Sequence, residues 1–240
     1  MKAWSFVAAL FATGCAAPVA EPPATTTLVL EQMKAACGGT AWNRVRGWHE
    51  TGVAEVSGGP SIQNEVWHEM QSLKTRMVGR VSGKVVRDAG FDGQRYWQVS
   101  QDGKVQVGSD TGGVRRHRRD AYLSSFGWFF PERFPAKIQL APTETINGTA
   151  FQVLRITPRD ADSFDLWVDP ETHLVRRILA GKEYADLSDY RTFNGVCSAT
   201  TGRQGDGDPT HEIVLHVQSV DTTQAIPASM FEPPIYPTGD

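Results

Sequence analysis

Asp110-Thr111-Gly112 spells the triplet of aspartic proteases. That chemistry needs two carboxylates sharing a proton at the floor of a cleft, each carried on an apolar strand. Here the triplet follows Gly108-Ser109 and runs into Gly113 and an arginine-rich segment. Asp110 or Thr111 therefore reads as the cap of a helix start, and no peptidase activity is expected. His211-Glu212 with His216 has the residue types of a zinc protease. Its two histidines are five positions apart in an alternating segment, however, and would point to opposite faces of a strand. His49, His68, His117 and His173 make no ligand spacing, and Asp206 with Asp208 reads as a solvated Gly-rich turn. No Gly-rich phosphate loop or serine elbow is present. The expectation is a protein without catalytic residues, metal or cofactor.

The densest charge feature is Arg115-Arg116-His117-Arg118-Arg119. Two readings stand: a solvated helix face partnered by Asp120 and Glu132, or a contact with anionic lipid headgroups, through Arg115 and Arg116, or with an acidic partner. Directly after it come Phe126, Trp128, Phe129, Phe130 and Phe134. These rings cannot all face one core from a single short segment, so they either line an interior cavity as a lid or share out ordinary core packing.

The N-terminus reads as an address. Lys2 precedes the apolar run Ala3 to Ala12, too short to span a bilayer but suited to a signal-peptide core. Ala12-Thr13-Gly14-Cys15 resembles a bacterial lipobox, with Cys15 as the lipidated residue. The expected organisation is a signal peptide over 1–14, a lipidated tether over 15–27 and one domain over 28–236. Localisation would be the outer membrane facing the periplasm, or the soluble periplasm without the lipid. In an exported chain the two remaining thiols, Cys37 and Cys197, suggest a disulfide, with two unpaired buried thiols as the alternative.

The elements that must position these residues are mostly strands. Leu28 to Cys37 has helical period and stops at Gly38-Gly39. From Gly47 the period becomes 2, and segments alternate between turn signals such as Ser82-Gly83, Asp102-Gly103, Asn147-Gly148 and Asn194-Gly195. Gly113 to Phe126 interrupts as a second helix, and Thr200 to Pro209 reads as a polar loop. About ten sequentially paired antiparallel strands result. A chain of 240 residues, 40% hydrophobic and 21% charged, forms a sizeable core. The net charge of -3 excludes a basic nucleic-acid-binding face.

The segments Gly38-Gly39-Thr40-Ala41-Trp42, Gly90-Phe91-Asp92-Gly93 leading to Trp97, Asp120-Ala121-Tyr122-Leu123, Leu166-Trp167-Val168-Asp169-Pro170, Asp189-Tyr190-Arg191 and Phe231 before Pro233 together resemble the LolA/LolB-like superfamily of periplasmic lipoprotein and lipid carriers. The likeness is strongest to the LolA-like domain that precedes retropepsin-type protease domains in some bacterial proteins. No such protease region is expected in this protein, and the Asp110 triplet lies inside the carrier-like part. The resemblance implies a mostly β, strongly curved antiparallel sheet forming an incomplete barrel, with helices over its concave face around an apolar cavity. It implies a non-enzymatic carrier whose partners are the acyl chains of lipids or lipoproteins. On that reading Trp48, Val66, Trp97, Leu166 and Val168 belong to the cavity wall, and Phe126, Trp128, Phe129 and Phe130 to the lid. The alternatives are an envelope interaction module with a filled interior, or a hydrolase.

The anchor is tested by Cys15→Ala, which is expected to move the protein from membrane to soluble fractions on ultracentrifugation. Unchanged partitioning would remove the lipid.

Overall fold

The computed structural model describes residues 25–100 and 102–234; Cys15 and the expected signal peptide lie outside them. Helix α1 spans Thr26–Ala36, opened by Thr25, whose hydroxyl accepts the Leu28 amide at 3.2 Å. The chain then passes through Gly38 at φ 110°, where a β-carbon would meet the Gly195 carbonyl oxygen at 2.1 Å. Glycine is required there because the helix end lies directly on a hairpin turn of the sheet.

Six strands follow in the first half: β1 (Gly47–Val56), β2 (Ile62–Glu69), β3 (Lys74–Val81), β4 (Lys84–Phe91), β5 (Tyr96–Val99) and β6 (Val105–Gly108). Helix α2 (Thr111–Ser124) and a short 3-10 turn at Gly127–Phe129 interrupt them. The second half holds β7 (Ala136–Ile146), β8 (Thr149–Pro158), β9 (Phe164–Val168), β10 (Val175–Ala180), β11 (Glu183–Phe193), β12 (Val196–Gly205) and β13 (Ile213–Asp221). Every strand sits beside its sequence neighbour except where β1 pairs antiparallel with β13, giving the order β6-β5-β4-β3-β2-β1-β13-β12-β11-β10-β9-β8-β7.

The expectation of a mostly β, open antiparallel sheet is met: among the described residues thirteen strands form one sheet that does not close. The turn chemistry holds as well. Asn147-Gly148 and Asn194-Gly195 both take positive φ at each position, the geometry a two-residue hairpin needs. One segment differs: the stretch read as a loop from Thr200 is strand β12 as far as Gly205. Its polar residues alternate over a ladder with β11 and β13, so pairing on both sides overrides its turn-like composition.

Because β6 and β7 are the two outer strands, the chain between them must travel from one edge of the sheet to the other. α2 and the aromatic segment make that crossing. α1 is tied down separately: Cys37 and Cys197 are disulfide-bonded with Cα atoms 4.7 Å apart. The Cys197 amide donates to the Cys37 carbonyl at 3.0 Å, and the Trp42 indole donates to the same carbonyl at 2.8 Å.

Cys37→Ser with Cys197→Ser is expected to lower the free energy of unfolding by about 2–4 kcal/mol in urea titrations. In the unreduced wild type, a thiol-alkylating reagent should modify neither residue.

Candidate functional site: an aromatic plug on the concave face

Strand register assigns the wall residues to faces. Trp48 lies opposite His68, and Glu50 opposite Val66, so these four side chains share one face of the sheet. Across the sheet, Leu154 pairs with Leu166, and Val175 with Val168. Trp48, Leu154, Leu166 and Val168 enter one core cluster with Val29 and Met33 of α1. This is the helix-covered face.

Trp97 is not on it. Gly90 pairs with Trp97 while Phe91 pairs with Tyr96, so the pleat sends Trp97 to the opposite face and Tyr96 inward under α2. There the Trp97 indole donates to the Phe231 carbonyl at 3.0 Å and lies under the Arg76 guanidinium at 5.4 Å. The assignment of Trp97 to the cavity wall is therefore corrected: a one-residue difference in parity reverses the face. Arg76 itself forms a two-pronged pair with Asp88, at 3.0 and 2.8 Å. The Ala228–Phe231 turn closes this second, smaller layer.

Phe126, Trp128, Phe129 and Phe130 converge on one core cluster, which corrects the expectation that a single short segment could not turn them all to it. Phe126 takes a left-handed backbone at φ 49°, which turns the chain sharply at the end of α2. Its ring lies 4.6 Å from Trp42 and 5.3 Å from Trp48. Phe129 stands 5.3 Å from Trp42, and Trp128 packs edge-on to both Phe126 and Phe129. Phe130 sits beneath Lys34 at 5.2 Å and Arg133 at 4.7 Å, and Lys34 also donates to the Phe129 carbonyl at 3.0 Å. Gly127 allows this packing, because a β-carbon there would fall 2.5 Å from the Tyr122 ring. Trp42, stacked on Trp48 at 6.1 Å, is the centre of the plug. In sequence, Trp42 stands out only at the end of a resembling segment; its position three residues after the glycine pair that stops α1 was the available signal.

α2 is fixed at both ends by charge and hydrogen bonding. Asp110 caps it, accepting the Gly113 amide at 2.8 Å and the Tyr96 hydroxyl. That phenol bond and the Gly113 amide hold the Asp110 carboxyl below its usual range. The triplet is a helix cap. Arg115 binds Asp162 and the Ala161 carbonyl, at 2.8 and 3.0 Å. Arg119 is buried between Asp120 and Glu183. Arg116 forms no hydrogen bond or ion pair among the described residues. His117 lies flat on Tyr96 at 4.6 Å, and burial lowers its pKa. Of the two headgroup candidates, Arg115 is thus already engaged and Arg116 is open.

Elsewhere, His211 bonds Asp206 at 3.1 Å, while Asp206 and Asp208 accept nearby backbone amides, as a solvated turn does. Among the described residues no group of three or more His, Cys, Asp or Glu could hold a metal ion. No described helix is long and apolar enough to cross a membrane.

Two titratable groups on the concave face were not anticipated. Glu50 accepts the Trp48 indole at 3.1 Å, and burial raises its pKa. His68 is 8% exposed, its Nδ1 lacks a partner among the described residues, and burial lowers its pKa to about 4. Folded His68 stays neutral down to about pH 4, whereas the unfolded chain takes up that proton near 6.5. The unfolded state is therefore favoured progressively as pH falls through this window, by on the order of 3 kcal/mol. His68→Phe is expected to flatten that part of a profile of Tm against pH between 6.5 and 4. An unchanged slope would assign the acid sensitivity to other groups.

No family model and no curated protein matches the sequence. Solved structures do match the fold. A protein described as an outer membrane lipoprotein-sorting domain from Vibrio parahaemolyticus superposes with a TM-score of 0.59 at 12% identity, over 86% of this chain and 95% of its own. A LolA superfamily protein from Nitrosomonas europaea gives 0.57 at 10% identity, over 88% and 99%. A DUF1329 family protein from Desulfovibrio piger gives 0.57 at 11%, over 87% and 97%. The open, helix-covered sheet of this chain is thus similar in fold to these three structures.

Proposed function

We propose that this protein is a non-enzymatic carrier or receptor for the acyl chains of lipids or lipoproteins, exported and facing the periplasm. The observation that carries the reading is the source of the interior filling. The concave face is occupied by Phe126, Trp128 and Phe129, which belong to the edge-to-edge crossing. A plug on a connecting segment can move away without breaking a strand ladder, and its withdrawal would uncover Trp48, Leu166 and Val168 as an apolar wall, with Val66 beside them. Acyl chains are the ligands such a wall suits. Arg116 at the start of the same helix is placed to meet an anionic headgroup, and a lipid on Cys15 would hold the domain at a membrane. The segments that resemble retropepsin-associated LolA-like domains support kinship with that branch.

A second reading has its own support: Trp42, Trp48 and Phe129 already satisfy one another, as in an interaction module whose interior never opens. Lipid content separates the two. Mass spectrometry of the natively purified protein is expected to find acyl species near one per molecule, and a fluorescent fatty acid should bind saturably. Absence of both would favour the interaction module.

A further inference from the structure

A cleft of about 240 Å³ lies between α2, the chain around Phe134 and the end of β8. Its lining divides sharply by chemistry. Leu73 and Phe134 are apolar, whereas Arg118, Arg133 and Arg159 bring three cations against the single carboxylate of Asp160. The guanidiniums are held mainly by neutral groups. Arg118 donates to the Asp160 and Gly93 carbonyls at 3.3 and 3.2 Å, and stands 3.9 Å from the Asp160 carboxylate. Arg133 donates to the Met70 carbonyl at 2.6 Å and lies over the Phe134 ring at 5.7 Å. The Arg159 side chain makes no hydrogen bond or ion pair among the described residues.

A second, independent feature meets the same cleft. Tyr122 lines it, is 1% exposed, and its hydroxyl has no partner among the described residues. An unmade bond at a buried donor is costly, so such a group calls for an acceptor. Burial also raises the phenol pKa, which keeps the proton in place for donation. One oxyanion would serve both the arginines and the phenol. Arginine matches phosphate geometry with two parallel bonds, which a point charge cannot do. The volume decides how much of a ligand enters: it falls below the roughly 300–1,000 Å³ of pockets that bury a drug-sized molecule, so a head group fits and its tail lies along Leu73 and Phe134.

We propose that this cleft binds the phosphate head group of an amphiphile, through Arg118, Arg133, Arg159 and the Tyr122 hydroxyl. The lipid origin of that phosphate rests on the carrier reading; the oxyanion site itself does not. It is a different surface from Arg115 and Arg116, and it places the head group at the side of the plug.

Isothermal titration calorimetry with hexyl phosphate, inorganic phosphate and hexanol tests it. Hexyl phosphate should bind at least tenfold more tightly than inorganic phosphate, and hexanol should give no saturable heat. Arg159→Glu, at an exposed position, should weaken hexyl phosphate at least tenfold, and Tyr122→Phe about threefold. Equal binding by both variants, or hexanol binding as well as hexyl phosphate, would overturn the site. Inorganic phosphate binding as tightly as hexyl phosphate would overturn the amphiphile and leave a free-phosphate site. If fatty-acid uptake fails while Arg159-dependent binding persists, the carrier reading falls and the cleft stands. Uptake without such binding gives the reverse.

Discussion

A sheet that curls without closing leaves one apolar face with nothing from the sheet itself to cover it, and the rest of this molecule answers that deficit. Thirteen antiparallel strands end in two unpaired edges, β6 and β7, and the chain has to pass from one to the other. The route lies across the concave side. α2 and the aromatic turn after it are therefore at once a connection and a core. α1 supplies the other half of the cover, pinned by the Cys37 disulfide, its backbone bond to Cys197 and the Trp42 indole on the same carbonyl.

Charge organises the crossing helix more than it stabilises it. Exposed ion pairs contribute little energy, but Arg115 on Asp162, Arg118 on the Gly93 carbonyl and Arg119 between Asp120 and Glu183 reach structures on both sides of the opening. The helix is positioned by its arginines and rests on the sheet through His117, Tyr122 and Ala121. What looks in sequence like one uniform basic run becomes, in space, three committed groups and one open one. The unbalanced positive charge collects instead around Arg133 and Arg159, which lie far apart in sequence and neither of which belongs to the run.

The interior is not uniformly apolar. Glu50, His68 and the Tyr122 and Trp128 polar atoms, which have no partner among the described residues, sit within or beside the aromatic plug. Buried polar groups without partners weaken packing relative to an all-apolar core. This is a reason to regard the covered face as less tightly committed than the strand ladders beneath it. The opposite face shows the contrast: Trp97, Arg76, Asp88 and the Phe231 carbonyl form a bonded layer around a side chain that is fully buried.

Local sequence determined most of the elements. Period-2 alternation, Asn-Gly turns, the Thr25 and Asp110 caps and the glycine pair after α1 each act over a few residues, so strands, hairpins and helix ends were legible, and the pairing of consecutive strands followed from short turns. The Phe126 to Phe130 cluster was legible as something special because its composition is local too. β12 was not, since its polar residues become a strand only between two partners. Tertiary structure alone decided three further matters. Strand parity, carried through four successive pairings, put Trp97 behind the sheet and Val66 in front. Closure of β1 on β13 fixed which strands are edges and so sent α2 across the opening. Folding buried Trp42 and His68, left Glu50 half-buried beside them, and gathered Arg118, Arg133 and Arg159 into one cleft. Contacts between residues so distant in sequence carry no local signal, because only the folded chain brings them within reach.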